Sequence, residues 1–135
     1  YDIEDSRELD IISIDPSDSK DFYDAFGLQD LNDDRMLLSI YIANVSLWIE
    51  ILDLWEYFSE RISTIYLPNG KKPMLPNILS DSLCSLQENK TRFAFTLDIH
   101  ICKKTFEIIE INYVNSSIIV IALSFTTYSL SLIKI

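Results

Sequence analysis

The chain has 135 residues, 48% of them apolar and 24% charged, with a formal net charge of −10 at pH 7. That length and apolar content suit one domain, or part of one, with a real core, and they exclude a disordered tail. The acidity excludes a general polyanion binder held by a basic surface, because sequence-independent affinity for nucleic acid comes chiefly from Lys and Arg neutralising phosphates.

The acidic excess is local. Residues 1–34 hold twelve acidic and two basic side chains, whereas residues 35–135 hold nine of each. The first predicted element, residues 9–14, is a β-strand rich in branched side chains. It leads into Asp15-Pro-Ser-Asp18-Ser-Lys-Asp21-Phe-Tyr23-Asp24, which packs four carboxylates into ten positions. Like charges this close raise one another's pKa unless something positive sits among them. Mg²⁺ answers that need with hard oxygen ligands, keeping its other positions for water and phosphate. The same composition also suits a solvated acidic turn whose charges point into water.

A second strand is predicted over 35–45. Residues 52–62 then place Leu54, Trp55, Phe58 and Ile62 on one helical face, which is expected to pack on a sheet. Trp48 and Trp55 are expected in the core rather than against nucleic-acid bases. Pro73 and Pro76 bracket Met74 and Leu75, and proline holds the residue before it extended, so a rigid loop should lead into a short helix at about 77–85. Further strands are predicted over 92–101, 105–113 and 117–125, with a turn at Asn115-Ser-Ser117. Residues 111–133 carry no charge. Asn, Thr and Ser interrupt them and β-branched residues dominate, so they point to hydrophobic strands rather than a membrane span. Such strands would seek cover from the rest of a domain or from other chains.

Lys71-Lys72 and Lys103-Lys104 are short pairs suited to solvated turns, and neither makes a basic patch. Cys84 and Cys102 lack metal-ligand spacing and His100 is the single histidine, which fits a reducing, cytoplasmic-type compartment without disulfides. Gly27 and Gly70 are expected at turns. Together the elements predict an α+β fold, a twisted and mostly antiparallel β-sheet with one or two helices packed on it, in a single unit over 1–135.

The motif order adds a resemblance. Asp-Pro-x-Asp-x-Lys-Asp-Phe-x-Asp-Ala from Asp15, Ile-Ala-x-Val-Ser from Ile42, Tyr-Leu-Pro from Tyr66, Pro-Met-Leu-Pro from Pro73 and Leu-Cys-Ser-Leu from Leu83 follow one another at compatible intervals. This series resembles the amino-terminal portion of the catalytic (RNB) domain of the ribonuclease II family, the processive 3′-to-5′ exoribonucleases, and it covers nearly the whole chain. The resemblance implies single-stranded RNA as substrate. It implies Mg²⁺, or Mn²⁺, held by aspartates that activate a water against the terminal phosphodiester and release nucleoside 5′-monophosphates.

Position by position the family's four aspartates fall on Asp15, Asp21, Tyr23 and Asp24, so the third is replaced by a phenol. With a reference pKa of about 10, that phenol is neutral near pH 7 and bulkier than a carboxylate. A second departure is Asn44, where the family usually carries Asp. Metal binding through Asp15, Asp21 and Asp24 is therefore expected to be weakened, with little or no nuclease activity. The alternative is a non-catalytic RNA-binding or structural relic. The resemblance also suggests that Tyr66 contacts RNA near its 3′ end. The family's catalytic domain is more than twice this length, so a remaining part of that domain is an expected partner.

Overall fold

The structure, a computed structural model, describes residues 1–19, 21–58, 65–72 and 75–125. Its strands are β1 (Glu4–Asp5), β2 (Ile11–Pro16), β3 (Asp24–Asp30), β4 (Arg35–Ala43), β5 (Ile65–Leu67), β6 (Gly70–Lys72), β7 (Thr91–Cys102), β8 (Ile108–Ile119) and β9 (Ile121–Phe125). The helices are α1 (Val45–Ile51), α2 (Trp55–Phe58) and a five-residue π-helix, Leu79–Leu83. Seven strands form one sheet in the order β1-β8-β7-β4-β3-β2-β9, and β5 pairs with β6 separately. The four central pairings are antiparallel; only the outer pairs, β1 with β8 and β2 with β9, are parallel. The α+β class and the mostly antiparallel sheet expected from the sequence are what the chain adopts.

Register decides which side chains share a face, since successive residues of a strand point to opposite sides. Ala25, Tyr41 and Thr96 stand in one row across β3, β4 and β7, and Ala43 and Ala94 in the next. These residues are buried. Ala25, Tyr41, Ala43 and Ala94 join Ile11 and Ile118 from the sheet and Ile49, Leu75, Leu79, Cys84 and Leu86 from the helical side in one cluster. Small residues at 25, 43 and 94 let the helices approach closely, and two hydroxyls of this layer find partners within it, whereas Ser13 Oγ is buried without one. Thr96 Oγ1 donates to Ser116 Oγ at 2.9 Å, and Ser39 Oγ donates to Asp98.

Several elements differ from their predicted bounds. The helical residues start earlier than 52–62, because Asn44 caps α1: its side-chain oxygen accepts from the Leu47 N–H at 3.1 Å and from Ser46 Oγ. Leu52 then closes α1, and Asp53, at φ 53, turns the chain. Leu54 packs on the core, but Trp55 is 54% exposed rather than on the buried face. Ile62 lies outside the described residues, as do Pro73 and Met74 of the predicted loop.

The turn expected at 115–117 does not form. Asn115 to Ser117 lie inside β8, where Ser116 and Ser117 pair with Ala94 and Phe93, so the ladder satisfies the backbone and overrides the local turn composition. The hairpin falls instead at 103–107, and the 105–113 strand begins at Ile108. Gly27 is also not at a turn. It sits within β3, where an added Cβ would come within 3.1 Å of the Asp10 carbonyl oxygen and 3.6 Å of the Tyr41 ring, so a larger side chain would push on the layer that buries Tyr41.

Candidate functional site

The acidic motif spans the end of β2, the connection after it and the start of β3. Asp15 lies inside β2, paired with Ser124 of β9, and Asp24 opens β3 opposite Ile42 of β4. Strand parity then separates them. Asp15 follows Ile11 and Ser13, both buried, onto the helix-covered face. Asp24 precedes Phe26 and Leu28, which are exposed on the other face. Asp21 and Tyr23 lie between the two strands, and each is engaged with neighbouring groups. Tyr23 is 40% exposed.

Among the described residues no group of three or more His, Cys, Asp or Glu stands close enough to hold a metal ion. One oxygen does suit a cation: Asp15 Oδ2 is buried without a hydrogen-bond partner. It belongs to a hollow of about 190 Å³ lined by Asp15, Ser17, Ser19, Phe22, Glu88 and Leu123 among others. Asp21 and Asp24 do not line that hollow. Asp15 is thus the one member of the expected set Asp15, Asp21 and Asp24 that faces this hollow. Glu88, a carboxylate the sequence reading passed over, shares the hollow with Asp15 instead. Nothing in its local spacing marks it; only the bridge of Glu88 to Val120 brings it there.

The backbone of the motif is pinned from two sides. The Ala43 N–H donates to the Tyr23 carbonyl at 2.8 Å, and the Leu86 N–H donates to the Phe22 carbonyl at 2.7 Å. The Phe22 side chain packs against the core cluster. Asn44 is buried and engaged on both sides of its amide. Besides capping α1 it donates through Nδ2 to Asn115 Oδ1 at 2.8 Å.

Tyr66 lies in β5, but its side chain is outside the described residues, so the RNA contact expected there has no geometry to report. Trp48 is tilted against Phe93 at 5.6 Å between ring centroids, a packing contact as expected for a core aromatic. Lys103 and Lys104 are paired with Asp30 at 2.6 Å and Asp34 at 2.5 Å, so both ammonium groups of that pair face carboxylates. Both cysteines are free thiols. Burial pushes Cys84 up to about 11, which makes it a poor nucleophile and metal ligand.

Comparison with known proteins gives a consistent picture. A family model described as the RNB domain matches residues 3–127. Ribonuclease R of Ureaplasma parvum is 44% identical over 99 residues, covering 71% of this chain and 14% of that protein. Exoribonuclease 2 of Cronobacter sakazakii is 41% identical over 90 residues, covering 66% and 14%. Among solved structures, Mycoplasma genitalium RNase R in complex with ribose-methylated single-stranded RNA superposes with a TM-score of 0.73 at 26% identity, over 95% of this chain and 20% of that one. Yeast Ssd1, a pseudonuclease, shares the fold with a TM-score of 0.73 at 16% identity, over 89% of this chain and 15% of its own. The chain thus spans about one seventh of the length of the curated relatives it matches.

Proposed function

The chain belongs to the RNB domain family, and from that premise we propose that it is a piece of a 3′-to-5′ exoribonuclease scaffold for single-stranded RNA whose hydrolytic step is lost or strongly impaired in this chain. The observation that carries the reading is the division of the acidic motif. Asp15 and Asp24 follow opposite faces of the sheet, and a neutral phenol stands at position 23. Misplacing reacting groups by even about 1 Å can cost roughly a hundredfold in rate. Strand parity directs Asp15 and Asp24 to different faces, which supports a weakened hydrolytic step.

RNA as the ligand class rests on relatives named as ribonucleases and on a similar solved structure that holds RNA. The surface itself contributes little attraction. The excess charge is negative, and the Lys103-Lys104 pair is already neutralised. Binding to RNA by this chain alone should accordingly be weak, and a remaining part of the domain would supply the cations. Magnesium, a reducing compartment and an RNA contact at Tyr66 belong to the same reading.

Incubation of the chain with 5′-labelled single-stranded RNA and Mg²⁺ or Mn²⁺ tests it. Full-length RNA should persist, whether free or retarded on a native gel. Progressive shortening from the 3′ end would overturn the reading.

A further inference from the structure

A charged residue outside the acidic motif is tied to it through a short chain of hydrogen bonds. Arg92 stands at the start of β7, on the helix-covered face with Ala94 and Thr96. Its Nε–H reaches the carbonyls of Ser82 at 3.1 Å and Ser85 at 2.9 Å, its Nη2 donates to Gln87 Oε1 at 3.2 Å, and its Nη1 to the Thr91 carbonyl at 2.9 Å. Those carbonyls flank the end of the π-helix Leu79–Leu83, whose wide turn is closed by the Cys84 N–H on the Leu79 carbonyl at 2.8 Å. A π-turn leaves carbonyls badly placed for ordinary helical partners, and such turns need outside donors to persist. Gln87 adds one more, from Nε2 to the Asp81 carbonyl at 3.0 Å.

The residue that follows this clamped turn is Leu86. Its side chain is 1% exposed, and its N–H is the group that holds the Phe22 carbonyl at 2.7 Å. Phe22 lies between Asp21 and Tyr23. One Nε–H is shared by both turn carbonyls while the other guanidinium donors hold Gln87 and Thr91, a fixed set of directions that an ammonium lacks.

The geometry points to Arg92 as the positioning residue of the acidic loop: by fixing the π-turn it fixes Leu86, and through the Leu86 hydrogen bond it sets the backbone of Asp21, Phe22 and Tyr23. This deepens the reading of the loop as the family's altered reaction site and rests on that reading for its functional meaning. The physical linkage itself does not depend on RNA or metal.

Amide NMR on the whole chain tests it, with Arg92→Ala and, should that variant unfold, Arg92→Lys. The Leu86 amide proton should move upfield as its short bond to Phe22 lengthens. Hydrogen exchange at Leu86 and at Ala43, which donates to Tyr23, should speed by about tenfold relative to Ile40 and Leu97 in mid-sheet, equivalent to about 1.4 kcal/mol of lost local protection. In Arg92→Lys the same two amides should speed by a smaller factor, because an ammonium can keep one of the carbonyl contacts but not the whole set. Thr96→Val, which removes a buried hydroxyl elsewhere in the sheet, should leave the Leu86 shift in place. An unmoved Leu86 amide in both Arg92 variants, or equal acceleration at all four amides, would overturn the proposal. Since neither RNA nor metal enters the measurement, that failure is distinct from failure of the proposed function.

Discussion

The two faces of the main sheet are built from the same strands and have opposite fates. On the covered face Ala25, Tyr41, Ala43, Ala94 and Thr96 are small or partly polar, yet each is at most 7% exposed. On the other, Phe26, Leu28, Ile42, Phe95, Ile111 and Tyr113 are bulkier and more apolar, yet they stand 40 to 65% exposed. Burial here follows what lies on top of a residue and not its hydropathy. Strands apolar on both sides are those of a sheet covered on both. An open face this apolar is the kind of surface that seeks a covering partner. Phe95 and Tyr113 stack on each other at 6.0 Å, which is how this face limits its own exposure.

The same division runs through the acidic motif, and it sets a ranked series of tests. The sharpest pairs two isoleucines: Ile118→Ala on the covered face should cost about 2–5 kcal/mol in urea unfolding. Ile42→Ala on the open face, 52% exposed, should cost less than about 1 kcal/mol. Equal costs would mean that both faces are covered in solution.

Alkaline pH should weaken the covered face next. Burial holds the Cys84 thiol at about 11 against 9.0 for the free group, and burial also raises the Tyr41 phenol. As pH rises the unfolded chain releases its thiol proton first, so stability is complete below pH 9 and falls between about 9 and 11. The loss from Cys84 should be about 2–3 kcal/mol. Urea midpoints measured from pH 8 to 11 in the wild type and in Cys84→Ala should diverge at the low end and converge at the high end.

Smaller effects follow at the edges of the comparison. Asn44→Ala, which removes the α1 cap and the bond to Asn115, should cost about 1 kcal/mol, read as a lower melting temperature. Leu28→Lys on the open face should leave stability within about 0.5 kcal/mol. It should lower binding of an apolar dye such as ANS, and undiminished dye binding would place the exposed apolar surface elsewhere.

The sequence announced the class of fold, because branched residues in 9–14, 35–45 and 92–101 alternate or run apolar as strands do. Its motif order also pointed to the family whose model matches residues 3–127. What it hid depended on pairing. Asn115-Ser-Ser117 has the composition of a turn, and only its ladder with Phe93 and Ala94 makes it strand. Asp24 to Asp30 contains Gly and two acids, so β3 escaped notice although it joins β2 to β4. The helix begins before its apolar periodicity does, because the Asn44 side chain caps it at Leu47. Parity at Asp15 and Asp24 was hidden as well, since proximity in sequence is no guide to which side of a sheet a carboxylate follows. Arg92 and Glu88 act through contacts with segments that no local pattern links to them.

The separation of Asp15 from Asp24 is most directly tested by calorimetric titration of the chain with Mg²⁺ and Mn²⁺ at neutral pH. No stoichiometric site tighter than about 1 mM is expected, the weak end of the range for oxygen-ligand cation sites. One-to-one binding in the micromolar range, abolished alike by Asp15→Asn, Asp21→Asn and Asp24→Asn, would contradict it.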